Sequence, residues 1–125
     1  MISLSEIEAR LGLKNGLNGR SVTVKTENLK AVISEMLRQF GINERLYVAM
    51  YPDVQEWVEQ NKPFTPTDHF VEFGFFEGRE VVEKAFSETE YLKKNPDVEK
   101  AFLDGVYQTP VEHYILFGRK EGRRW

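Results

Sequence analysis

Residues 65–79 read TPTDHFVEFGFFEGR, and residues 109–123 read TPVEHYILFGRKEGR. The two stretches belong to a longer match, because residues 42–80 align without a gap with residues 86–124. The offset is 44 residues, and 13 of the 39 aligned positions are identical. Similarity at a fixed offset is typical of a duplicated structural unit. The sequence therefore predicts two tandem copies of one small unit.

The opening residues of both stretches predict the start of a helix. Thr65 and Thr109 are good N-caps, and each precedes a proline at the first helical position and an acid at the third. A glycine can close a helix in the left-handed conformation. This helix is therefore expected to end at Gly74 or Gly118, after about two turns.

Two more helices are predicted upstream in each copy. The first opens at Asn43 or Ser87, which are good N-caps, and stops before Pro52 or Pro96. Those prolines fit the first turn of a second helix. Asn95 is expected to cap that helix in the second copy, whereas the first copy has a tyrosine at the same position. Each copy is therefore predicted to be a three-helix unit.

Residues 1–41 precede the copies and form a separate N-terminal segment. It opens with a short helical pattern and a glycine-rich loop, and residues 20–25 allow a short strand. Residues 27–40 predict an amphipathic helix with Thr26 as its N-cap. Its apolar face consists of Leu29, Val32, Ile33, Met36, Leu37 and Phe40.

Helices as short as those of the two copies are unstable in isolation, so they need packing partners. The predicted fold is all-α, a small bundle of short helices. In it the two three-helix copies pack on the N-terminal amphipathic helix and form one compact domain.

Composition limits the functional classes. The chain has no cysteine, which excludes disulfides, thiolate zinc sites and cysteine nucleophiles. Its net charge of −3 with both signs interspersed does not indicate a dedicated nucleic-acid binder. The sequence shows no signal peptide and no transmembrane segment. The expected location therefore stays open between the cytoplasm, a non-classical export route and the inside of a particle.

Several motifs of the second copy occur together. They are Tyr91, NPDV at 95–98, a glycine-bearing loop, HY at 113–114, and FG followed by EGR within 117–123. This combination resembles a short repeat of bacterial polysaccharide-related proteins, found in surface or secreted proteins and beside glycosyltransferases. The resemblance implies helical architecture and a surface or polysaccharide association, and it implies no catalytic residue.

The resemblance covers residues 42–124 and leaves the first 41 residues unmatched. The first copy departs from the pattern, because Tyr51 stands in place of asparagine. Its middle loop also lacks the glycine and reads NKP at residues 61–63.

His69 and His113 are the two histidines of the chain, and each follows an acid. A paired metal or proton-transfer site could use them, but two ligands without a third make a weak zinc site. A hydrogen bond inside the fold is the favoured interpretation for both. No catalytic residue, metal or cofactor is therefore predicted, and the chain is not expected to be an enzyme.

Asp53 with Arg79, and Asp97 with Arg123, recur at one separation of 26 residues, which predicts a structural ion pair in each copy. Such an acid at a helix N-terminus also suits the helix dipole. The repeat positions expected to hold the fold are Pro52, Asp53, His69, Gly74 and Arg79, with Pro96, Asp97, His113, Gly118 and Arg123.

Binding residues are sought where the copies differ. Phe75 and Phe76 in the first copy correspond to Arg119 and Lys120 in the second, and the basic C-terminal stretch ends in a tryptophan. Alternatively, the phenylalanines fold under the linker at 81–85, and the C-terminal stretch is a solvated tail. The predicted binding residues are Phe75, Phe76, Arg119, Lys120, Arg123, Arg124 and Trp125.

Two functions are predicted. The leading hypothesis is a non-enzymatic binding module in a bacterial surface or polysaccharide context. The alternative is a structural or assembly subunit of a surface layer or phage-like particle. A protein partner or self-association is expected, an anionic polysaccharide is a further candidate, and nucleic acid is not expected.

Overall fold

A computed structural model describes residues 3–125, and across these residues the chain is helical, with eight α-helices and no β-sheet. The prediction of an all-α bundle of short helices is confirmed. The chain divides into two compact units, Met1–Phe40 and Gly41–Trp125. The packing of the repeats on the N-terminal helix stays a prediction. No helix of the described residues is long and apolar enough to span a membrane.

The first unit begins with α1 (Leu4–Arg10). Ser3 caps this helix, because its side chain accepts from the backbone N–H of Glu6 at 3.2 Å while the Glu6 carboxylate accepts from the backbone N–H of Ser3 at 3.2 Å. The helix gives way to Gly12, whose φ of 73° is the left-handed conformation that glycine adopts without a Cβ clash.

The second helix of this unit is α2 (Thr26–Phe40). It begins one residue before the predicted start, so Thr26 lies inside the helix and the prediction that it is the N-cap is wrong. The strand allowed at 20–25 is also wrong, because these residues are irregular. The described chain offers no partner strand there, and a lone segment cannot complete its backbone hydrogen bonds as a sheet.

The second unit contains both copies, each with three α-helices in the predicted order. The first copy has α3 (Glu44–Met50), α4 (Pro52–Gln60) and α5 (Pro66–His69). The second copy has α6 (Glu88–Lys94), α7 (Pro96–Leu103) and α8 (Pro110–His113). The third helix of each copy continues as one wider π-helical turn, Phe70–Gly74 or Tyr114–Gly118.

Four of the predicted N-caps are confirmed. In each, the side-chain oxygen accepts a hydrogen bond of 3.1–3.3 Å from the backbone N–H three residues further on. These caps are Asn43, Thr65, Ser87 and Thr109.

Asn95 occupies the N-cap position of α7, as predicted, but its side chain makes no capping hydrogen bond. Its amide instead donates to the carbonyl oxygens of Tyr91 and Arg124, at 2.8 Å each. In the first copy the Tyr51 hydroxyl accepts from the backbone N–H of Glu80 at 2.9 Å. Residues 51 and 95 are equivalent in the two copies, and so are residues 80 and 124. Both copies therefore bond the backbone after the shared arginine to the residue before the second helix, through an accepting hydroxyl in the first copy and a donating amide in the second.

The third helix ends at Gly74 or Gly118, as predicted, but neither glycine adopts the left-handed conformation. The backbone at the following residue is still right-handed helical in both copies. The chain turns four residues later, at Gly78 with φ 79° and Gly122 with φ 68°. Gly74 and Gly118 are instead needed for close packing, because a Cβ at either position would overlap the hydroxyl of a buried tyrosine.

One hydrophobic core joins the two copies. Leu46 of the first copy packs with Val82 of the linker and with Phe86 and other side chains of the second copy. The backbone N–H of Asn43 also donates to the carbonyl of Val82 at 2.9 Å, within a single antiparallel bridge. The full cluster is Leu46, Val82, Phe86, Tyr91, Val98, Val111 and Tyr114.

Candidate functional site

Each copy contains a buried tyrosine–histidine pair. The Tyr47 hydroxyl lies 2.8 Å from His69 Nδ1, and the Tyr91 hydroxyl lies 2.7 Å from His113 Nδ1. All four side chains are at least 94% buried. A hydrogen bond inside the fold, the favoured interpretation of both histidines, is therefore confirmed.

Burial keeps the members of these pairs neutral. It raises the pKa of Tyr47 and of Tyr91 to about 12, because an isolated phenolate would be poorly solvated there. Burial also lowers the pKa of His69 and His113, and the nearby arginine of each copy lowers it further. Among residues 3–125 no three histidine, aspartate or glutamate side chains cluster as metal ligands. The pairs are suited to holding the fold.

Each histidine is covered by an aromatic ring from a different place in its copy. Trp57 on α4 lies edge-on to His69, with ring centroids 5.1 Å apart. The equivalent of Trp57 in the second copy is Ala101, and there Tyr107 from the following loop covers His113 at 4.6 Å. The histidine is therefore shielded in both copies by unrelated side chains.

The predicted aspartate–arginine pairs are confirmed in both copies. The Arg79 guanidinium donates to both Asp53 oxygens at 2.8 and 2.7 Å, and Arg123 donates to both Asp97 oxygens at 2.9 and 2.8 Å. Each hydrogen-bonded arginine lowers the pKa of its aspartate. Arg123, which the sequence also proposes as a binding residue, is thus held within its own copy.

The phenylalanine pair proposed as a contact patch is partly accessible. Phe75 is 40% exposed and packs edge-on against Phe70 and Phe76, with centroids 6.0 and 5.2 Å apart. Phe76 is half-buried. The patch therefore offers one exposed ring supported by two others.

Arg119 is used to tie the second copy to the linker. Its guanidinium donates to Glu80 Oε2 at 3.2 Å and to the carbonyl of Val81 at 2.7 Å. It also lies over the ring of Tyr114, with its Cζ 5.4 Å from the ring centroid. Of the predicted binding residues, Arg119 thus has an internal role.

The C-terminal residues fold back on the second copy. The Trp125 ring packs on Phe86 with centroids 5.5 Å apart, and Lys94 donates to the Trp125 backbone oxygen at 3.0 Å. Lys120 and Arg124 remain exposed. The predicted binding residues therefore lie in different environments and do not form one site.

A cleft of about 700 Å³ lies between the copies. One wall is α3 of the first copy, and the other is the third helix of the second copy with the loop before it. Its volume falls in the usual range of ligand-binding clefts. The lining residues are Arg45, Leu46, Ala49, Met50, Tyr51, Glu80, Glu88, Gln108, Thr109, Val111, Glu112, Ile115 and Leu116.

The α3 wall of this cleft is apolar only in the first copy. Leu46, Ala49 and Met50 line it, whereas the second copy has Glu90, Lys93 and Lys94 at the same positions. On the other wall, Leu116 is half-exposed and corresponds to Glu72. The divergence was readable from the aligned copies, but the sequence alone did not show that these positions face each other.

Comparison with protein-family models, with curated proteins and with solved structures gives no significant match to this chain.

Proposed function

We propose that this chain is a non-enzymatic binding module of a bacterial surface or polysaccharide system, and that it binds its partner in the cleft between the two copies. The observation that carries the proposal is the open cleft of about 700 Å³ with apolar walls. Clefts of this size with apolar walls and a few polar groups are the usual form of a binding site. The surface or polysaccharide context rests on the resemblance of the repeat motifs.

The two copies act as controls for each other. The second copy folds with glutamate and lysines at the positions of Leu46, Ala49 and Met50. The first copy likewise folds with Glu72 at the position of Leu116. Leu46 and Met50 pack in or on the core shared by the two copies. Ala49 and Leu116 are exposed and are not required to be apolar by the helices themselves, so contact with a partner is our explanation for these two residues.

The proposal is tested by nuclear magnetic resonance on the whole chain with labelled methyl groups. Neutral and anionic bacterial polysaccharide fragments and a library of short peptides are titrated separately. A member that binds in the cleft shifts the methyl signals of Leu46, Met50, Ile115 and Leu116, which line it. Leu116→Glu, which copies the residue of the first repeat, should weaken that binding by about tenfold or more.

The matched control is Leu103→Glu. Leu103 is 75% exposed, lies outside the cleft and corresponds to Glu59, so this variant makes the same chemical change elsewhere. It should leave binding unchanged. If no compound shifts the cleft signals, or if both variants weaken binding equally, the cleft is not the binding site.

A structural subunit is the second candidate, and a cluster of exposed rings favours it. Trp57 packs between Phe64 and Phe73, with centroids 6.0 and 5.8 Å away, and the two phenylalanines are about half-exposed. Exposed rings of this kind are frequent in subunit contacts. Light scattering over a range of concentrations should then show oligomers that Phe64→Gln abolishes. A strictly monomeric species would contradict this function.

A further inference from the structure

The charge around the cleft indicates what enters it. Three carboxylates line the cleft, those of Glu80, Glu88 and Glu112, against the single guanidinium of Arg45. The formal charge of the lining is therefore −2, and the Arg119 guanidinium, 3.2 Å from Glu80 and outside the lining, offsets one of the three carboxylates. The Arg45 side chain is 74% exposed and reaches Glu88 only at 3.9 Å, so it neutralises little of this charge.

The carboxylates are positioned by the fold through one oxygen each. Glu88 Oε2 accepts from the backbone N–H of Val111 at 3.2 Å, and Glu112 Oε2 accepts from that of Gln108 at 3.1 Å. Glu80 Oε2 accepts from Arg119 at 3.2 Å. An oriented carboxylate retains further acceptor sites on its other oxygen. The cleft thus presents fixed negative charge beside its apolar walls.

We propose that the occupant of the cleft is an amphipathic segment of a protein partner that carries lysine or arginine. Its apolar side chains pack on Met50, Ile115 and Leu116, and its cationic side chains meet the carboxylates at the rim. This inference rests on the proposed function, because it names the class of partner for the same cleft.

The observations favour this occupant over an anionic polysaccharide. A polyanion would be repelled by the net negative lining, and it would leave the apolar walls without a matching surface. An amphipathic peptide satisfies both features, since apolar anchors supply affinity and opposite charge supplies orientation and a faster encounter.

The test uses two designed peptides of about 14 residues, long enough to form a marginal helix. Both carry leucine at helical spacing, and the remaining positions are lysine in one peptide and glutamate in the other. Calorimetry measures the dissociation constants, and methyl spectra of the whole chain locate the binding. The lysine peptide should bind in the cleft at least about tenfold more tightly than the glutamate peptide. Raising the salt from about 0.05 to about 0.5 M should weaken its binding.

A matched pair of variants isolates the charge. Glu112→Gln retains an oxygen that can accept from Gln108 but removes the negative charge, and it should weaken binding of the lysine peptide about threefold to tenfold. Glu59→Gln makes the same change on exposed α4 outside the cleft and should have no effect. The inference is overturned if the two peptides bind equally, or if the two variants have equal effects.

The outcomes also separate this inference from the proposed function. If a polysaccharide fragment or a second copy of the chain shifts the cleft signals and the lysine peptide does not, the proposed binding function is retained and the cationic protein partner is rejected. If nothing tested shifts those signals, both the proposed function and the inferred partner are rejected.

Discussion

The tyrosine–histidine hydrogen bonds place two titratable groups inside each copy in their neutral forms. Because burial lowers the pKa of His69 and His113 in the folded chain, the unfolded chain binds more protons once the pH approaches the ordinary histidine value of about 6.5. Protonating either histidine is therefore less favourable in the folded chain than in the unfolded chain. The pairs stabilise the fold in a pH-dependent way.

We predict that the free energy of unfolding is highest above about pH 6.5, falls as the pH drops from there toward the lowered pKa values of the histidines, and levels off below them. Urea denaturation at a series of pH values between about 7.5 and 5 measures this. His113→Gln should remove part of the slope, since glutamine does not titrate. An unchanged slope in His69→Gln and in His113→Gln would mean that other groups cause it. Asp53 and Asp97 do not interfere, because their pKa values are lowered and they lose their contribution only in more acidic solution.

The glycine beneath each tyrosine hydroxyl supplies a second prediction. Gly74→Ala would place a methyl group against the Tyr47 hydroxyl and push it away from His69. We expect a loss of about 1–3 kcal/mol in the free energy of unfolding, the usual cost of overpacking. In a double-mutant cycle with Tyr47→Phe, the two losses should be less than additive, because the phenylalanine lacks the obstructing atom. Full additivity would contradict the assigned role of this glycine.

Single residues differ in how far the sequence predicts them. The aspartate–arginine pairs follow from a separation that repeats exactly in both copies. The tyrosine partner of each histidine cannot be predicted in this way, because Tyr47 and His69 are 22 residues apart, on helices whose mutual packing no local pattern specifies. The close packing of Gly74 and Gly118 under the tyrosine hydroxyls was not predictable for the same reason, since a close approach and a helix end favour the same residue.

Helix starts are the best-predicted feature among the elements. Thr65 and Asp68 form a reciprocal capping box, with hydrogen bonds of 3.2 and 2.8 Å. Asn95 shows where this kind of prediction fails. A side chain suited to capping is redirected when a tertiary partner, here the carbonyl of Arg124, competes for it.

A third prediction compares two threonines at helix starts. Thr65→Ala should lower the free energy of unfolding by about 0.5–2 kcal/mol, because it leaves a helical N–H without its acceptor. Thr26→Ala should have a much smaller effect, since Thr26 lies inside α2 and alanine is a better helix former. Thermal and urea denaturation of both variants measure the difference. Equal losses would place an N-cap at Thr26 after all.

At the scale of the whole second unit, the linker makes the two copies one cooperative structure. Leu46 comes from the first copy, Val82 lies in the linker, and Phe86 and Val111 come from the second copy, yet they share one cluster. The core of the second copy therefore includes a side chain of the first copy. This coupling was not predictable in detail, because the aligned copies show which positions match and not which positions touch.

Leu46→Ala should therefore destabilise both copies together. We expect a loss of about 2–5 kcal/mol, the range for a buried leucine cut to alanine. Hydrogen exchange followed by mass spectrometry should show faster exchange in both copies. Leu103→Ala, at a largely exposed position of α7, should leave the exchange of both unchanged. Faster exchange confined to residues 42–80 in Leu46→Ala would show that the copies fold independently.

The aromatic covers of the two histidines restrict how the repeat can be redesigned. Trp57 in one copy and Tyr107 in the other solve the same packing problem from different elements, so neither residue can be transplanted by itself. Ala101→Trp would put two rings into space for one, and Tyr107→Pro would uncover His113. A synthetic array built from this unit must therefore inherit these positions as linked sets, because a consensus that chooses each position separately can give a repeat with both covers or with none.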